Sequence, residues 1–168
     1  MQLAYLAGGC FWCIEAIFQR IDGVTSVEPG YCNGTTINPT YKQVCSGKTG
    51  HAEVVKIEFD EDCINFTELL KVFFQVHDPT SLNKQGNDHG TQYRSAVFFT
   101  NKTQQLQAID IISGLDKEVV TEVSELDIFY TAEGYHKDYF NNNSKQPYCQ
   151  LTIAPKIKKY FSAKSNIL

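Results

Sequence analysis

The stretch Gln2-Leu3-Ala4-Tyr5-Leu6-Ala7-Gly8-Gly9-Cys10-Phe11-Trp12-Cys13 decides how this chain begins to fold, because its pattern changes across the two glycines. Residues 2–7 read as a strand. Beyond the glycines, Ile14, Ile17, Phe18 and Ile21 recur at the i, i+3, i+4, i+7 spacing of a buried helical stripe, which predicts a helix over 11–21. Gly8 and Gly9 permit a tight turn between the two elements. Cys10 falls where the first helical turn opens, beside free N–H groups and the positive end of the helix dipole. Such a position stabilises an anion and lowers a thiol pKa from about 8.5 into the range ~3.5–7.5. The expectation is a reactive thiol at Cys10.

Working outward, Asp22-Gly23 marks a turn into a second strand near 24–31. A loop rich in Gly, Asn, Thr and Pro carries Tyr41 and a short helix around 41–46, and residues 52–60 read as a third strand. Asn65 with Glu68 three places on is a helix-start signature, opening a helix with Phe66, Leu69, Leu70, Phe73 and Phe74 on one face. His77-Asp78-Pro79 ends it, and a polar loop runs to about residue 91. A fourth strand at 95–99, a helix at about 102–118 and a short strand near 120–124 follow. The order β-α-β-β-α-β predicts the α+β class, as a ferredoxin-like split βαβ two-layer sandwich with C-terminal additions. Residues past about 140 read as an irregular tail. With no repeat or linker, residues 1–168 are expected to form one domain.

Composition limits the partners. The formal net charge of −4 argues against a nucleic-acid or anionic-membrane surface, since both need a basic face. Lys156, Lys158, Lys159 and Lys164 gather near the end and read as a solvated helix face. No run approaches the roughly 18–20 apolar residues of a membrane span, and residues 1–9 lack the regions of a signal peptide. Six cysteines without an export signal point to a reducing, cytoplasmic setting, where thiols are catalytic, metal-binding or buried. Nothing in the sequence demands more than a monomer.

Glu53 is the most telling residue after Cys10. Strand alternation puts Glu53, Val55, Ile57 and Phe59 on one face, with Ala52, Val54, Lys56 and Glu58 on the other. Two environments fit: a desolvated carboxyl in the apolar row, or a side chain reaching solvent at the sheet end. Burial raises a carboxyl pKa, and an acid still protonated near neutrality is a usable general acid. The glycine-punctuated loop from Gln85 to Arg94, including Asp88 and Tyr93, suits a binding loop or a plain surface turn. Tyr41 and Tyr93 offer hydroxyl donors. Cys13 completes a C-x-x-C with Cys10, a spacing for dithiol chemistry or half a zinc site, but no second C-x-x-C supplies further ligands. Cys149 follows the polar run 141–147, whose flexibility would let a second thiol reach Cys10. Cys45 and Cys63 read as small buried fillers, and Cys32 is left open.

Gly9-Cys10-Phe11-Trp12, Asn38-Pro39-Thr40-Tyr41, Val44-Cys45-Ser46-Gly47, Gly50-His51-Ala52-Glu53 and His77-Asp78-Pro79-Thr80 together resemble peptide methionine sulfoxide reductases of the A type. Gln85-Gly86-Asn87-Asp88, Gly90-Thr91-Gln92-Tyr93-Arg94-Ser95 and Tyr148-Cys149 extend the resemblance, in order, from residue 8 to about 156. The resemblance implies reduction of the S epimer of methionine sulfoxide, free or in proteins, with Cys10 as nucleophile and Glu53 as acid. It assigns Tyr41 and Tyr93 to the sulfoxide oxygen, Phe11 and Trp12 to an apolar pocket for the substrate's S-methyl group, and Asp88 to ordering that pocket. It also implies a Cys10 sulfenic acid, a disulfide with Cys149, thioredoxin as reductant, and no metal or organic cofactor. Cys32 departs from the family pattern, which marks it as an off-pathway disulfide partner, and Cys13 stands as an additional redox candidate. The competing readings are a general dithiol–disulfide oxidoreductase using Cys10 and Cys13, and a redox-sensing binding module. Glu53 discriminates among them, because only departure of the sulfoxide oxygen needs an acid.

Overall fold

A computed structural model describes residues 1–165. The elements are β1 (Gln2–Ala7), α1 (Phe11–Phe18), β2 (Val24–Cys32), α2 (Tyr41–Cys45), β3 (Ala52–Phe59) and α3 (Phe66–Val76). There follow β4 (Lys84–Gln85), β5 (Asp88–His89), β6 (Ala96–Phe99), α4 (Lys102–Ser113), β7 (Glu122–Glu125), β8 (Tyr130–Thr131), α5 (Tyr139–Asn142) and α6 (Ala154–Ser165). The six-stranded sheet has the order β7-β6-β1-β3-β2-β8, and β4 and β5 form a separate small hairpin inside the polar loop. β3 lies between β1 and β2 and runs antiparallel to both, so the β1-α1-β2 unit is split by an inserted strand. β6 is antiparallel to β1, and only β7 joins in parallel.

Alternation explains the two faces. Ala4 and Leu6 of β1, Val55, Ile57 and Phe59 of β3 and Val97 of β6 pack against Ile14, Ile17 and Phe18 of α1 and Leu69, Leu70 and Phe73 of α3. Tyr5, Ala7, Cys32, Ala52, Val54 and Phe98 point the other way and are covered by Leu126 and Phe129. The helix-start signature at Asn65 is a full capping box, with Asn65 accepting from the Glu68 backbone and Glu68 accepting from that of Asn65. Thr40 and Gln43 form a second one at the head of α2.

Three expectations change. α1 ends at Phe18 and α4 at Ser113, short of the expected ends at 21 and about 118. In the first case residues 19–21 form a turn that still buries Ile21 on the way to Gly23, whose φ of +93° favours glycine. The segment past residue 140 is not an irregular tail. α5, a π-helical turn at Cys149–Ile153 and α6 make most of it regular. Ile157, Tyr160 and Phe161 of α6 pack on the main core, and that burial outweighs the polar, turn-forming run from Asn141 to Pro147.

Candidate active site

Cys10 is the N-cap residue of α1, with extended backbone angles (φ −60°, ψ 126°) and no side-chain cap bond. Its carbonyl accepts the Cys13 N–H at 3.1 Å, closing the first turn. Gly9 ahead of it has φ +91°, and a Cβ there would lie 2.6 Å from the Gln85 side chain, so the turn requires glycine on two counts. The helix terminus is where the sequence puts it, but the thiol is not exposed: Cys10 is 7% accessible. Burial, reinforced by a hydrogen bond with Cys13, holds the Cys10 pKa well above its ordinary value, reversing the expected depression. The same bond from Cys10 pulls the Cys13 thiol down. That bond couples the protonation of the two sulfurs, and Tyr148 Oη lies 3.8 Å from Cys13 Sγ.

Glu53, on β3, is the carboxyl facing this pair. It is 1% accessible, so the buried alternative holds and the sheet-end alternative does not. Phe11 N–H, in the first turn of α1, donates to Glu53 Oε1 at 3.1 Å, while Oε2 is buried with no partner. Burial pushes the Glu53 pKa up to about 8, with the charges of Asp88 and the Cys13 thiolate adding to the effect against the one amide bond. A neutral acid with one unpartnered oxygen therefore stands beside the thiols at pH 7.

Tyr41 opens α2, its N–H donating to Glu133 Oε2 at 2.9 Å while Glu133 Oε1 accepts from Tyr31 Oη at 3.0 Å. Tyr93 ends the short 3-10 turn Thr91–Tyr93. Arg94 pins that turn through Glu122 and the carbonyls of Thr91 and Gly50. Burial, then the Glu53 charge, raises both phenol pKa values, so both remain donors. Phe11 lies beneath the site, 1% accessible, packed on Tyr31, Tyr41 and His136. Half-buried Trp12 forms the accessible part of the apolar wall. It stacks on Tyr139 at 3.7 Å between centroids, and its indole N–H donates to His136 Nδ1 at 3.0 Å. Asp88 Oδ2 accepts from Tyr148 Oη at 2.7 Å. Cys149, fully buried at the start of the π-helical turn, packs in one cluster with Cys10, Cys13 and Ile153, and Tyr93 lies against it.

The structure thus gathers Cys10, Glu53, Tyr41, Tyr93, Phe11, Trp12, Asp88, Cys13 and Cys149 from separate segments. Cys32 does not join them: it is buried on the opposite face of the sheet, so it cannot meet Cys10 without unfolding. Cys45 and Cys63 are exposed, not buried fillers. Glu133, His136 and Tyr139 carry no local signal, and Tyr148 enters only through the Tyr148-Cys149 motif. Glu15 carries one, a carboxylate in phase with Phe11 and Phe18 on the buried face of α1. Glu15 accepts from the backbone N–H groups of Asp138 and Tyr139 at 3.0 and 3.3 Å, anchoring the corner that stacks on Trp12.

A sequence model of the peptide methionine sulfoxide reductase family matches residues 2–167. A peptide methionine sulfoxide reductase MsrA of Ruthia magnifica subsp. Calyptogena magnifica is 60% identical over 162 residues, covering 96% of this chain and 99% of that protein. Mxr1 from Saccharomyces cerevisiae in reduced form superposes with a TM-score of 0.84 at 34% identity, over 88% of each chain. The same yeast protein in complex with Trx2 shares the fold, with a TM-score of 0.59 at 22% identity over 82% of this chain and 84% of that one. With the family match running through every segment that builds the site, this chain belongs to the peptide methionine sulfoxide reductase family and is an enzyme of methionine sulfoxide reduction.

Proposed function

We propose that this enzyme reduces the S epimer of methionine sulfoxide, free or within proteins, with Cys10 as nucleophile and Glu53 as general acid. The observation that carries the reading is the unpartnered, buried Oε2 of a carboxyl that keeps its proton to about pH 8. A sulfoxide oxygen leaves poorly unless protonated, and general acid help of this kind contributes ~10²–10⁴-fold. A thiolate beside an ionised carboxylate is disfavoured, whereas beside a neutral one it is not. Cys10, passing its proton to Cys13 along the bond between the two sulfurs, attacks the sulfoxide sulfur as Glu53 protonates the oxygen, with the Tyr41 and Tyr93 hydroxyls donating to it. Trp12 backed by Phe11 takes the S-methyl group, and Asp88, bonded to Tyr148, orders the polar side. Methionine departs and the oxygen remains on sulfur as the Cys10 sulfenic acid. Cys149 then condenses with it, releasing water and forming a disulfide that thioredoxin reduces. The clustering of Cys149 with Cys10 supports this pairing, and the existence of yeast Mxr1 as a complex with Trx2 is in keeping with such a reductant.

General dithiol–disulfide exchange through Cys10 and Cys13 has one observation in its favour, the depressed Cys13 thiol. Against it, thiol–disulfide exchange gives the buried, neutral Glu53 carboxyl no oxygen to protonate. The deciding experiment supplies dithiothreitol and each epimer of N-acetylmethionine sulfoxide and measures the sulfide formed. Turnover of the S epimer alone is expected. Insulin disulfide reduction without sulfoxide turnover would instead establish the dithiol reading.

A further inference from the structure

Lys156, Lys159, Tyr160, Ala163 and Lys164 fall at the i, i+3, i+4, i+7, i+8 positions of α6 and line one wall of a groove of about 820 Å³. Lys117, beyond α4, faces them across it. Four lysines therefore surround one groove on a chain whose net charge is −4. The one carboxylate there, Asp78, is taken up by the Thr80 N–H and the hydroxyls of Thr80 and Ser81. Among the described residues none of the four lysines is in an ion pair. His77 adds no charge, since both its ring nitrogens are hydrogen-bonded, to the Phe73 carbonyl and Ser95 Oγ, and burial holds its pKa down at about 4.

The groove adjoins the thiols. Its floor residues His77 and Gln85 abut Gly8 and Gly9, the two residues ahead of Cys10. On the neighbouring side of the same C-terminal segment, Ile153 and Ile157 pack against Cys10, Cys13 and Cys149. From Lys156 to Lys164 the helix rises about 12 Å, the length of three to four extended residues. A groove of that length beside the catalytic cysteine accommodates about three to four residues flanking a sulfoxide side chain.

We propose that this groove receives acidic residues flanking methionine sulfoxide in protein substrates, so that the enzyme favours sulfoxides set in Asp- and Glu-rich segments. The inference rests on the sulfoxide-reductase reading above and adds its substrate class. Each exposed charge pair is weak and screened by salt, but several acting together raise encounter rate and affinity. The expected preference is about five- to tenfold.

The test uses nonapeptides with one central S-sulfoxide and four Glu, four Ser or four Lys on either side, with dithiothreitol as reductant so that no reductant protein docks. At low salt kcat/KM should follow the order Glu, Ser, Lys on at least one side, mainly through KM, with the differences shrinking in 0.5 M NaCl. The combined Lys117→Glu, Lys159→Glu and Lys164→Glu variant should lose or invert that order while turning over N-acetylmethionine sulfoxide at the wild-type rate. Equal kcat/KM for Glu and Lys peptides would overturn the proposal, as would an order unchanged in the variant. A variant defective only in thioredoxin-driven turnover would assign the groove to the reductant and overturn it too. Absence of N-acetylmethionine sulfoxide turnover in the wild type is a different failure, that of the underlying reading.

Discussion

At the residue scale the informative quantity is the protonation of Glu53, which the proposed chemistry needs neutral. Glu53 keeps its proton up to about 8, against 4.5 for an ordinary carboxyl. The unfolded chain releases that proton near 4.5, so stability declines as pH rises between the two values and bears the full penalty above the higher one. The penalty is on the order of 5 kcal/mol. Glu53→Gln removes it, and urea unfolding at pH 9 should find the variant more stable than wild type by a few kcal/mol. The same variant should reduce sulfoxide ~10²–10³-fold more slowly, since an amide donates a hydrogen bond but not a proton. Wild-type kcat should fall above pH 8, and that limb should be missing from the pH–rate profile of Glu53→Gln. Cys10→Ser should abolish turnover. These roles were legible in part: strand alternation aligned Glu53 with an apolar row, while the orphaned Oε2 and the bond from Phe11 N–H need the packed structure.

At the element scale, α1 does two jobs. Its first turn presents Cys10, and its second half with the residues just past its end holds the 138–141 corner through buried Glu15 and through Gln19 and Arg20. No side chain of α5 is fully buried, so these polar bonds, the Trp12–Tyr139 stack and the partial packing of Tyr139 and Phe140 on the thiol cluster hold it in place. Trp12 is the only tryptophan in the chain, which makes intrinsic fluorescence a direct report on that stack. Burial pushes the Glu15 pKa up to about 7, against the two backbone bonds and with the nearby Asp138 and Lys137 charges opposing each other. Trp12 emission should therefore change with a midpoint near pH 7, as protonation at lower pH weakens the grip on the corner. His136, bonded to Trp12, has its pKa lowered from 6.5 by burial, against the nearby Glu133 charge. Glu15→Gln should abolish the transition and raise KM for sulfoxide several-fold while kcat changes little. The capping box at Asn65 was readable because its partners are three residues apart. Glu15's partners lie more than a hundred residues away.

At the scale of the whole molecule the sheet acts as a partition among the cysteines. Cys10, Cys13 and Cys149 share one cluster, whereas Cys32 is buried with Tyr5 and Val54 behind the sheet. Cys149→Ser should complete a single turnover and leave a sulfenic acid that dimedone traps by mass spectrometry. Cys32→Ala should leave steady-state turnover and the Cys10–Cys149 disulfide unchanged, at a cost of about 1 kcal/mol in stability for a small cavity. Disulfide mapping after one equivalent of substrate distinguishes these outcomes, and any Cys10–Cys32 linkage would contradict the partition.

By itself the sequence determined most elements as far as β7, the order in which they follow, the α+β class and the place of Cys10 at the head of α1, because periodicity, capping and turn chemistry act over a few residues. It also carried the motifs that tie Cys10, Glu53, Tyr41, Tyr93, Asp88 and Cys149 to one family. Tertiary structure alone decided the state of the Cys10 thiol, since desolvation by the surrounding core outweighs the helix terminus on which the local reading relied. It alone turned the supposed tail into α6, separated Cys32 from Cys10 and set Tyr148 and His136 beside the site. Solvent exclusion and cross-chain partners are properties of the assembled core, and no window of neighbouring residues encodes them.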